Sequence, residues 1–145
     1  MPYLLDSNIL IRIAHRSDPS HGVVRAALRA LWEQGQGLYY VSQNLVEFWN
    51  VCTRPTAARG GLGLSLAETN RRARLIERFY TLLPDSPAVH EEWRRLVVSQ
   101  GVSGVQVHDA RLAAFMRVNG VSHILTLNTT DFSRYGITAV NPADV

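Results

Sequence analysis

Short apolar runs alternate along this chain with longer segments of helical periodicity, and this alternation restricts the fold more than any other feature. Residues 3–5, 38–41 and 124–127 are too short for helices and apolar enough for buried strands. Strands that alternate with helices predict a parallel sheet covered by helices on both faces. We therefore predict a three-layer α/β/α sandwich with a central parallel sheet of four to five strands.

Weaker patterns complete this prediction. Shorter strand candidates are residues 82–83, 105–108 and 138–140. The predicted helices are residues 8–14, 20–34, 42–52, 65–80, 87–101 and 109–119. We expect Ser42 to cap its helix and Trp32, Trp49, Trp93 and Leu66 to pack on the apolar faces of theirs.

The length and the ends of hydrophobic runs limit the class of protein. A chain of 145 residues has the size of one domain, which we expect to span residues 1–145. No run approaches the ~18 apolar residues of a membrane span, and the start, Met-Pro-Tyr-Leu-Leu-Asp, does not resemble a secretory signal. These features predict a cytoplasmic protein. Cys52 is the only cysteine, which excludes an intrachain disulfide and a thiolate metal cluster.

The basic residues are all arginines. Fifteen arginines against twelve acids give a formal charge of +3, which mildly favours a polyanionic partner. The absence of lysine excludes a Walker phosphate-binding loop and the lysine of aspartyl-phosphate receivers.

Four acidic residues follow the predicted strands. Asp6 comes directly after the first strand, Glu47 lies in the helix after the second, Asp109 opens the helix after Val107, and Asp131 follows residues 124–127. Open parallel sheets place reactive groups beyond the carboxyl ends of their strands. Each aspartate alone is also a natural helix N-cap, worth about 1 kcal/mol. The set as a whole is more informative than any one member.

Glu47 is the least expected of the four, because it lies in the most apolar predicted helix. An unpaired carboxylate there would pay a large desolvation penalty, and the nearest arginine, Arg54, is about two turns away. A bound cation would compensate the charge. Carboxylate oxygens without histidine pairs or cysteine pairs select Mg²⁺ or Mn²⁺ over zinc and copper. Such a metal activates water for attack on a phosphodiester, which predicts a nuclease.

Four motifs carry a family resemblance over essentially the whole chain. They are Leu-Leu-Asp6-Ser7-Asn8-Ile-Leu, Ser-Gln-Asn-Leu-Val-Glu47-Phe-Trp-Asn, Val-His-Asp109-Ala-Arg-Leu-Ala and Leu-Thr-Leu-Asn128-Thr-Thr-Asp131-Phe. In order and spacing they resemble the PIN domain family, and within it the VapC-type toxins.

The resemblance implies an endoribonuclease that depends on Mg²⁺ or Mn²⁺, with Asp6, Glu47, Asp109 and Asp131 as its catalytic and metal-binding cluster. Asp6 and Asp109 would hold the principal metal, and Glu47 and Asp131 would complete its shell. Ser7 and Asn128 match positions that support this cluster. The resemblance further implies a protein antitoxin as partner and a homodimer.

An arginine row has two interpretations. The row comprises Arg71, Arg74 and Arg78 on one helix and Arg54 and Arg59 before it. These side chains could grip RNA phosphates, or they could form a solvated face paired locally with Glu68 and Glu77. The intervening Gly61-Leu-Gly63 is expected to be a loop beside the substrate, and His108 an ordinary strand-end residue.

Two other functions remain open. The same fold serves nucleases of RNA maturation or decay that have no antitoxin, and a non-catalytic RNA-binding domain belongs to a different class. The retention of all four acids favours an enzyme.

Overall fold

Five parallel strands lie between two helical layers in the computed structural model, which describes every residue from Met1 to Val145. The strands are β1 (Pro2–Leu5), β2 (Gly37–Tyr40), β3 (Thr81–Leu82), β4 (His123–Leu125) and β5 (Thr138–Val140). Their order across the sheet is β3-β2-β1-β4-β5, and every neighbouring pair is parallel. The predicted α/β/α sandwich is confirmed.

Six helices cover this sheet. They are α1 (Ser7–Ile13), α2 (His21–Glu33), α3 (Ser42–Thr53), α4 (Leu66–Phe79), α5 (Pro87–Ser99) and α6 (Gln106–Asn119), with short 3-10 helices at Thr129–Phe132 and Pro142–Asp144. None of the helices combines the length and the apolarity that a membrane crossing would require.

The central strand β1 is buried on both faces, which explains its continuous apolar sequence. Tyr3 and Leu5 point into one core together with side chains of α1 to α4, whereas Leu4 belongs to a second core built on α5 and α6. Alternation along a strand sends successive side chains to opposite faces. The single cysteine, Cys52, is buried in the first core, and burial raises the pKa of its thiol to about 11.

The strand order creates a crevice at the end of β1. The chain runs from β1 to β2 on one side, and β4 pairs with β1 on the other, so connections diverge at this strand. The register pairs Leu5 with Leu125, and the amide of Asp6 donates to the carbonyl of Leu125 at 3.0 Å. Asp6 and Thr126 therefore emerge side by side at the carboxyl edge of the sheet.

The prediction of a strand at residues 105–108 is wrong. Gly101 and Gly104, both at positive φ, reverse the chain directly from α5 into α6, and Val105 is 80% exposed. Because the chain stays on one face of the sheet, no strand forms, and His108 is no strand-end residue. Asp109 consequently lies within the first turn of α6 and does not cap it.

Several smaller expectations also need correction. Ser42 is the first residue of α3, and Val41 precedes it at the cap position, with its N–H donating to Asn44 Oδ1 at 2.9 Å. Trp32 is 73% exposed and Leu66 is 69% exposed, so neither packs in a core. Helical periodicity identifies one side of a helix, and neighbouring elements decide how far that side is covered.

Asp131 also differs from its predicted capping role, because it lies inside the 3-10 helix that Asn128 precedes. Trp49 and Trp93 are half-buried, as the apolar helix faces predict. The strand predicted at residues 124–127 ends at Leu125, which leaves Thr126 free to turn toward the crevice.

The glycine-rich segment after α3 is a loop, as predicted, and backbone hydrogen bonds fasten it to the end of that helix. Gly63 donates to the carbonyl of Arg54 at 2.8 Å, and Leu64 donates to that of Cys52 at 2.8 Å. A Cβ on Gly61 would lie 2.2 Å from the carbonyl oxygen of Pro55, which only glycine avoids.

Candidate active site

Asp6 is the most buried of the four acids, with 8% of its surface exposed. Its Oδ1 accepts the backbone N–H of Ser7 at 2.7 Å, and its Oδ2 accepts Thr126 Oγ1 at 2.7 Å and Asn8 Nδ2 at 3.3 Å. Burial raises the pKa of Asp6 to about 6, although the bonds from Thr126 and Ser7 oppose the increase. The carboxylate is thus rigidly oriented and incompletely compensated.

Glu47 reaches the same crevice from α3. Ser7 Oγ donates to its Oε2 at 2.5 Å, and Gln43 Nε2 donates to its Oε1 at 3.1 Å. Both donors are neutral, and Glu47 takes part in none of the ion pairs of the protein. The expectation of a large desolvation penalty at Glu47 is wrong, because the side chain is only half-buried and remains partly in contact with solvent.

Asp109 and Asp131 complete the acidic group. Burial raises the pKa of Asp109 to about 7, with smaller contributions from the charges of Asp6, Asp131 and Glu47. The geometric basis of these contributions is that all four carboxylates line the same cleft. Asp131 is exposed at the rim, in the turn that follows β4.

All four acids line one cleft of about 360 Å³ at the carboxyl edge of the sheet. The other lining residues are Ser7, Asn8, Ile11, Arg12, Val51, Arg54, Gly60 and Asn128. The two arginines do not pair with the acids of the cleft: Arg12 forms an ion pair with Asp18 at 3.3 Å, and Arg54 donates to the carbonyl of Arg59 at 2.7 Å. The cleft therefore carries an excess of negative charge.

The donor set of the cleft fits a divalent cation. Every candidate ligand is an oxygen, which suits Mg²⁺ or Mn²⁺. No three acidic side chains stand close enough to hold one ion by themselves. Mg²⁺ usually retains several waters and takes only one or two protein carboxylates, so this spacing is compatible with a hydrated ion.

The predicted arginine row is not assembled at the cleft. Only Arg54 lines it. Arg71 binds Glu68 through two hydrogen bonds of 3.0 and 2.7 Å and lines a different groove, and Arg71 and Arg72 together lower the pKa of Glu68 to about 2. The others, Arg59, Arg74 and Arg78, are exposed. Of the two interpretations of the arginine row, the structure therefore supports local pairing on a solvated helix face for Arg71, which pairs with Glu68.

Three buried or half-buried polar residues escaped the sequence prediction. Thr126 is fully buried, donates to Asp6, and accepts the N–H of Asn128 at 3.0 Å. Asn44, also fully buried, donates to Ser7 Oγ at 3.1 Å, and Asn8 donates to Asp6. Thr126 could have been recognised from the sequence, because it is the polar residue in the otherwise apolar run predicted as a strand at residues 124–127.

Removal of the Thr126 hydroxyl tests its role. We expect Thr126→Val to raise the pKa of Asp6 further and to weaken Mn²⁺ binding about 10–100-fold, the range typical of partners that orient metal ligands. Isothermal titration with Mn²⁺ at pH 7 measures this affinity. Thr126→Ser keeps the hydroxyl and is the matched control. Equal affinities in the two variants would show that the hydrogen bond to Asp6 is unimportant.

Comparison with known proteins agrees with this architecture. The PIN domain family model matches residues 3–137. Ribonuclease VapC24 of Mycobacterium tuberculosis is 28% identical over 141 residues, which cover 94% of this chain and 92% of the relative.

Two solved structures show the same fold. VapBC2 from Rickettsia felis, bound to a DNA fragment from its promoter, matches with a TM-score of 0.70 and 14% identity over 97% of this chain and 98% of that one. The sarcin-ricin loop cleaving toxin VapC20 of Mycobacterium tuberculosis has a TM-score of 0.57 and 17% identity, with coverages of 84% and 86%. With a family match over nearly its whole length, a parallel sheet and an acidic cleft at the carboxyl edge, this chain belongs to the PIN domain family.

Proposed function

We propose that this chain is a single PIN domain that cleaves RNA as an endoribonuclease dependent on Mg²⁺ or Mn²⁺, and that it is the toxin of a type II toxin–antitoxin pair. The observation that carries the proposal is the cleft that Asp6, Glu47, Asp109 and Asp131 line together, in which none of the four forms an ion pair with an arginine of the chain. The similarity to a protein named ribonuclease VapC24 supports the substrate class.

Within this proposal each acid has a role that follows from its position. Asp6 and Asp109, the two carboxylates with raised pKa values, would hold the principal metal, and Glu47 and Asp131 would complete its shell through water or a second ion. A divalent ion held there would supply a Lewis acid that lowers the pKa of water and offsets negative charge on the phosphodiester.

The remaining groups hold this arrangement. Ser7 fixes Glu47 by its 2.5 Å hydrogen bond, and Thr126 fixes Asp6. Asn128 and Arg54 lie at the wall of the cleft, where an amide and a guanidinium can contact RNA phosphates. Arg59, Arg74 and Arg78 would add only long-range attraction for the polyanion.

A protein antitoxin is supported by an exposed apolar groove away from the cleft. Trp32 and Phe79, 73% and 69% exposed, line it together with Arg25 and Arg29 at its rim. A contiguous apolar surface of this kind usually marks an interaction site, and the arginines suit an acidic, amphipathic segment. A solved structure of the same fold is a toxin–antitoxin complex from Klebsiella pneumoniae. The homodimer stays a prediction.

The direct test is cleavage of total and structured RNA by the purified, antitoxin-free protein. We expect fragments with Mg²⁺ or Mn²⁺ and none with EDTA, because the acids of the cleft cannot activate water without a cation. Folded protein that cuts nothing under any condition would favour the non-catalytic RNA-binding alternative.

Induced expression separates a toxin from a maturation or decay nuclease. We expect growth to stop when the protein is made alone and to resume when a small gene adjacent to its own is co-expressed. Normal growth during expression of a protein that cleaves RNA in the tube would favour the nuclease without an antitoxin.

A further inference from the structure

A second concave site lies beside the acidic cleft and has no role in the function proposed so far. It encloses about 480 Å³ and is lined by Asp85, Ser86, His90, Trp93 and Arg111. These residues come from the connection after β3, from the start of α5 and from α6. The five side chains include two aromatic rings, a carboxylate and a guanidinium.

The first turn of α6 separates this pocket from the cleft. On the pocket side, Trp93 Nε1 donates to the carbonyl of Val107 at 2.9 Å. The next carbonyl, that of His108, accepts Gln43 Nε2 at 3.0 Å, and the next residue is the acid Asp109. The pocket and the candidate metal ligands therefore share one helical turn as a common wall.

Gln43 joins the two sites directly. Its Nε2 donates to Glu47 in the cleft at 3.1 Å, while its Oε1 accepts Arg111 Nη1 from the pocket at 3.0 Å. Only one side-chain amide thus separates the guanidinium from the acidic group. A molecule that fills the pocket would lie next to one that is bound at the acids.

The polar groups of the pocket provide both a donor and an acceptor. Arg111 Nη2 donates to Asp85 Oδ2 at 3.1 Å, and both side chains are partly exposed, at 35% and 54%. Only two of the five guanidinium N–H groups take part in hydrogen bonds with side chains of the protein. A phosphate group would be repelled by the Asp85 carboxylate, and a metal ion by Arg111. A neutral ligand with its own donors and acceptors fits both.

The aromatic groups supply a surface for stacking. The rings of His90 and Trp93 lie 5.9 Å apart between centroids, inclined by 39°, at the pocket wall. Proteins recognise unpaired RNA bases by stacking on aromatic rings and by hydrogen bonds to the base edges. The pocket of Arg111 combines these two elements.

We propose that this pocket binds a single unpaired nucleobase of the RNA substrate, adjacent to the phosphodiester that is cleaved. Asp85 and Arg111 read the edge of the base, and His90 with Trp93 holds its face. The inference rests on the proposed function, and it adds a determinant of where the RNA is cut.

Cut-site sequencing tests the proposal. Wild-type protein, with Mn²⁺, is given a pool of randomised single-stranded oligoribonucleotides, and the bases around each cut are counted. We expect a preference for one base at one position near the cut. Asp85→Asn should reduce that preference about tenfold, because contacts to the base edge discriminate between bases. His90→Ala should instead lower cleavage about tenfold at every site, because stacking accepts any base.

Matched controls and a second measurement complete the test. Arg94→Ala, on the exposed side of α5, and Asp144→Asn, near the carboxyl terminus, should retain the wild-type preference. In the inactive Asp6→Asn background, binding of short homopolymeric RNA should quench tryptophan fluorescence, and Trp93→Phe should remove the quench while Trp32→Phe retains it.

Two failures can be distinguished. If wild-type protein cuts none of the pool, the proposed nuclease function fails and the inference fails with it. If wild-type protein cuts without a base preference, or if Asp85→Asn keeps the preference of the controls and His90→Ala keeps their cleavage rate, the nuclease stands and the base pocket is wrong.

Discussion

Asp6→Asn is expected to abolish RNA cleavage and to leave the protein folded, with a loss well beyond the 10–100-fold typical of residues that only orient a metal ligand. Asparagine has the same size and can keep the cap on α1, and the hydroxyl of Thr126 can reverse its hydrogen bond to accept from the new amide. What disappears is the charge that binds the cation.

Asp6→Asn should abolish cleavage but should not reduce the stability of the metal-free protein. Asp6 pays a desolvation cost in the absence of metal, since burial moves its pKa from 3.8 to about 6, which corresponds to at most about 3 kcal/mol above neutral pH. The neutral amide avoids this cost. We therefore expect Asp6→Asn to melt at the same temperature as wild type or at a higher one in EDTA at pH 8.

The two measurements together identify a functional residue. Asp144→Asn, an exposed carboxylate far along the chain, is the control that should change neither activity nor melting temperature. An Asp6→Asn protein that melts normally and still cleaves RNA at the wild-type rate would contradict the assignment of Asp6 to the metal.

The second large effect is a dependence of stability on pH and on divalent metal. Both Asp6 and Asp109 have raised pKa values in the folded protein, about 6 and about 7. The metal-free folded state therefore holds protons that the unfolded chain releases near pH 4. The corresponding stability is complete below about pH 4 and is lost as the pH rises through 6 and 7.

Melting curves at several pH values measure this effect. In EDTA we expect the melting temperature to fall between pH 5 and pH 8. Mn²⁺ should restore it, and more strongly at higher pH, because a metal must displace the protons of the carboxyl groups that bind it. The pKa of Glu68 is lowered to about 2, so its titration changes stability only below pH 5 and does not affect the melting curves between pH 5 and pH 8.

The double variant Asp6→Asn/Asp109→Asn isolates the two groups. Its melting temperature in EDTA should vary less with pH between 5 and 8 than that of wild type, and Mn²⁺ should have little effect on it. A wild-type protein whose melting temperature is independent of both pH and Mn²⁺ in this range would rule out a strained acidic cluster in the cleft.

The elements with strong periodicity could be predicted from the sequence. Strand β1, the helices around Phe48 and Phe115, and the positions of Asp6 and Glu47 follow from local patterns, because burial on one or both faces leaves a signature within a few residues. Asp109 and Asp131 were selected in the same way from their positions after predicted strands, and the family motifs supported all four acids. The prediction of a strand at residues 105–108 was wrong because a short apolar run of four residues is equally compatible with a strand and with the beginning of a helix.

The hydrogen bonds within the cleft depend on contacts between distant parts of the chain. Thr126 is 120 residues from Asp6, and the register of β1 with β4 alone makes them neighbours. Likewise Gln43 meets Arg111 across 68 residues. No local pattern encodes such pairs. The sequence also could not decide whether the arginines contact RNA phosphates or nearby acids, and in the structure Arg71 pairs with Glu68.

The sequence by itself determined the fold class, the family and which four acids line the cleft, because these properties follow from hydrophobic periodicity, residue type and the order of the motifs. Only the tertiary structure decided how the acids are held, which arginine reaches them, and that a pocket with Trp93 and Arg111 lies beside them. Those features depend on the sheet register and on the packing of α5 against α6, where small changes of geometry make or break a hydrogen bond.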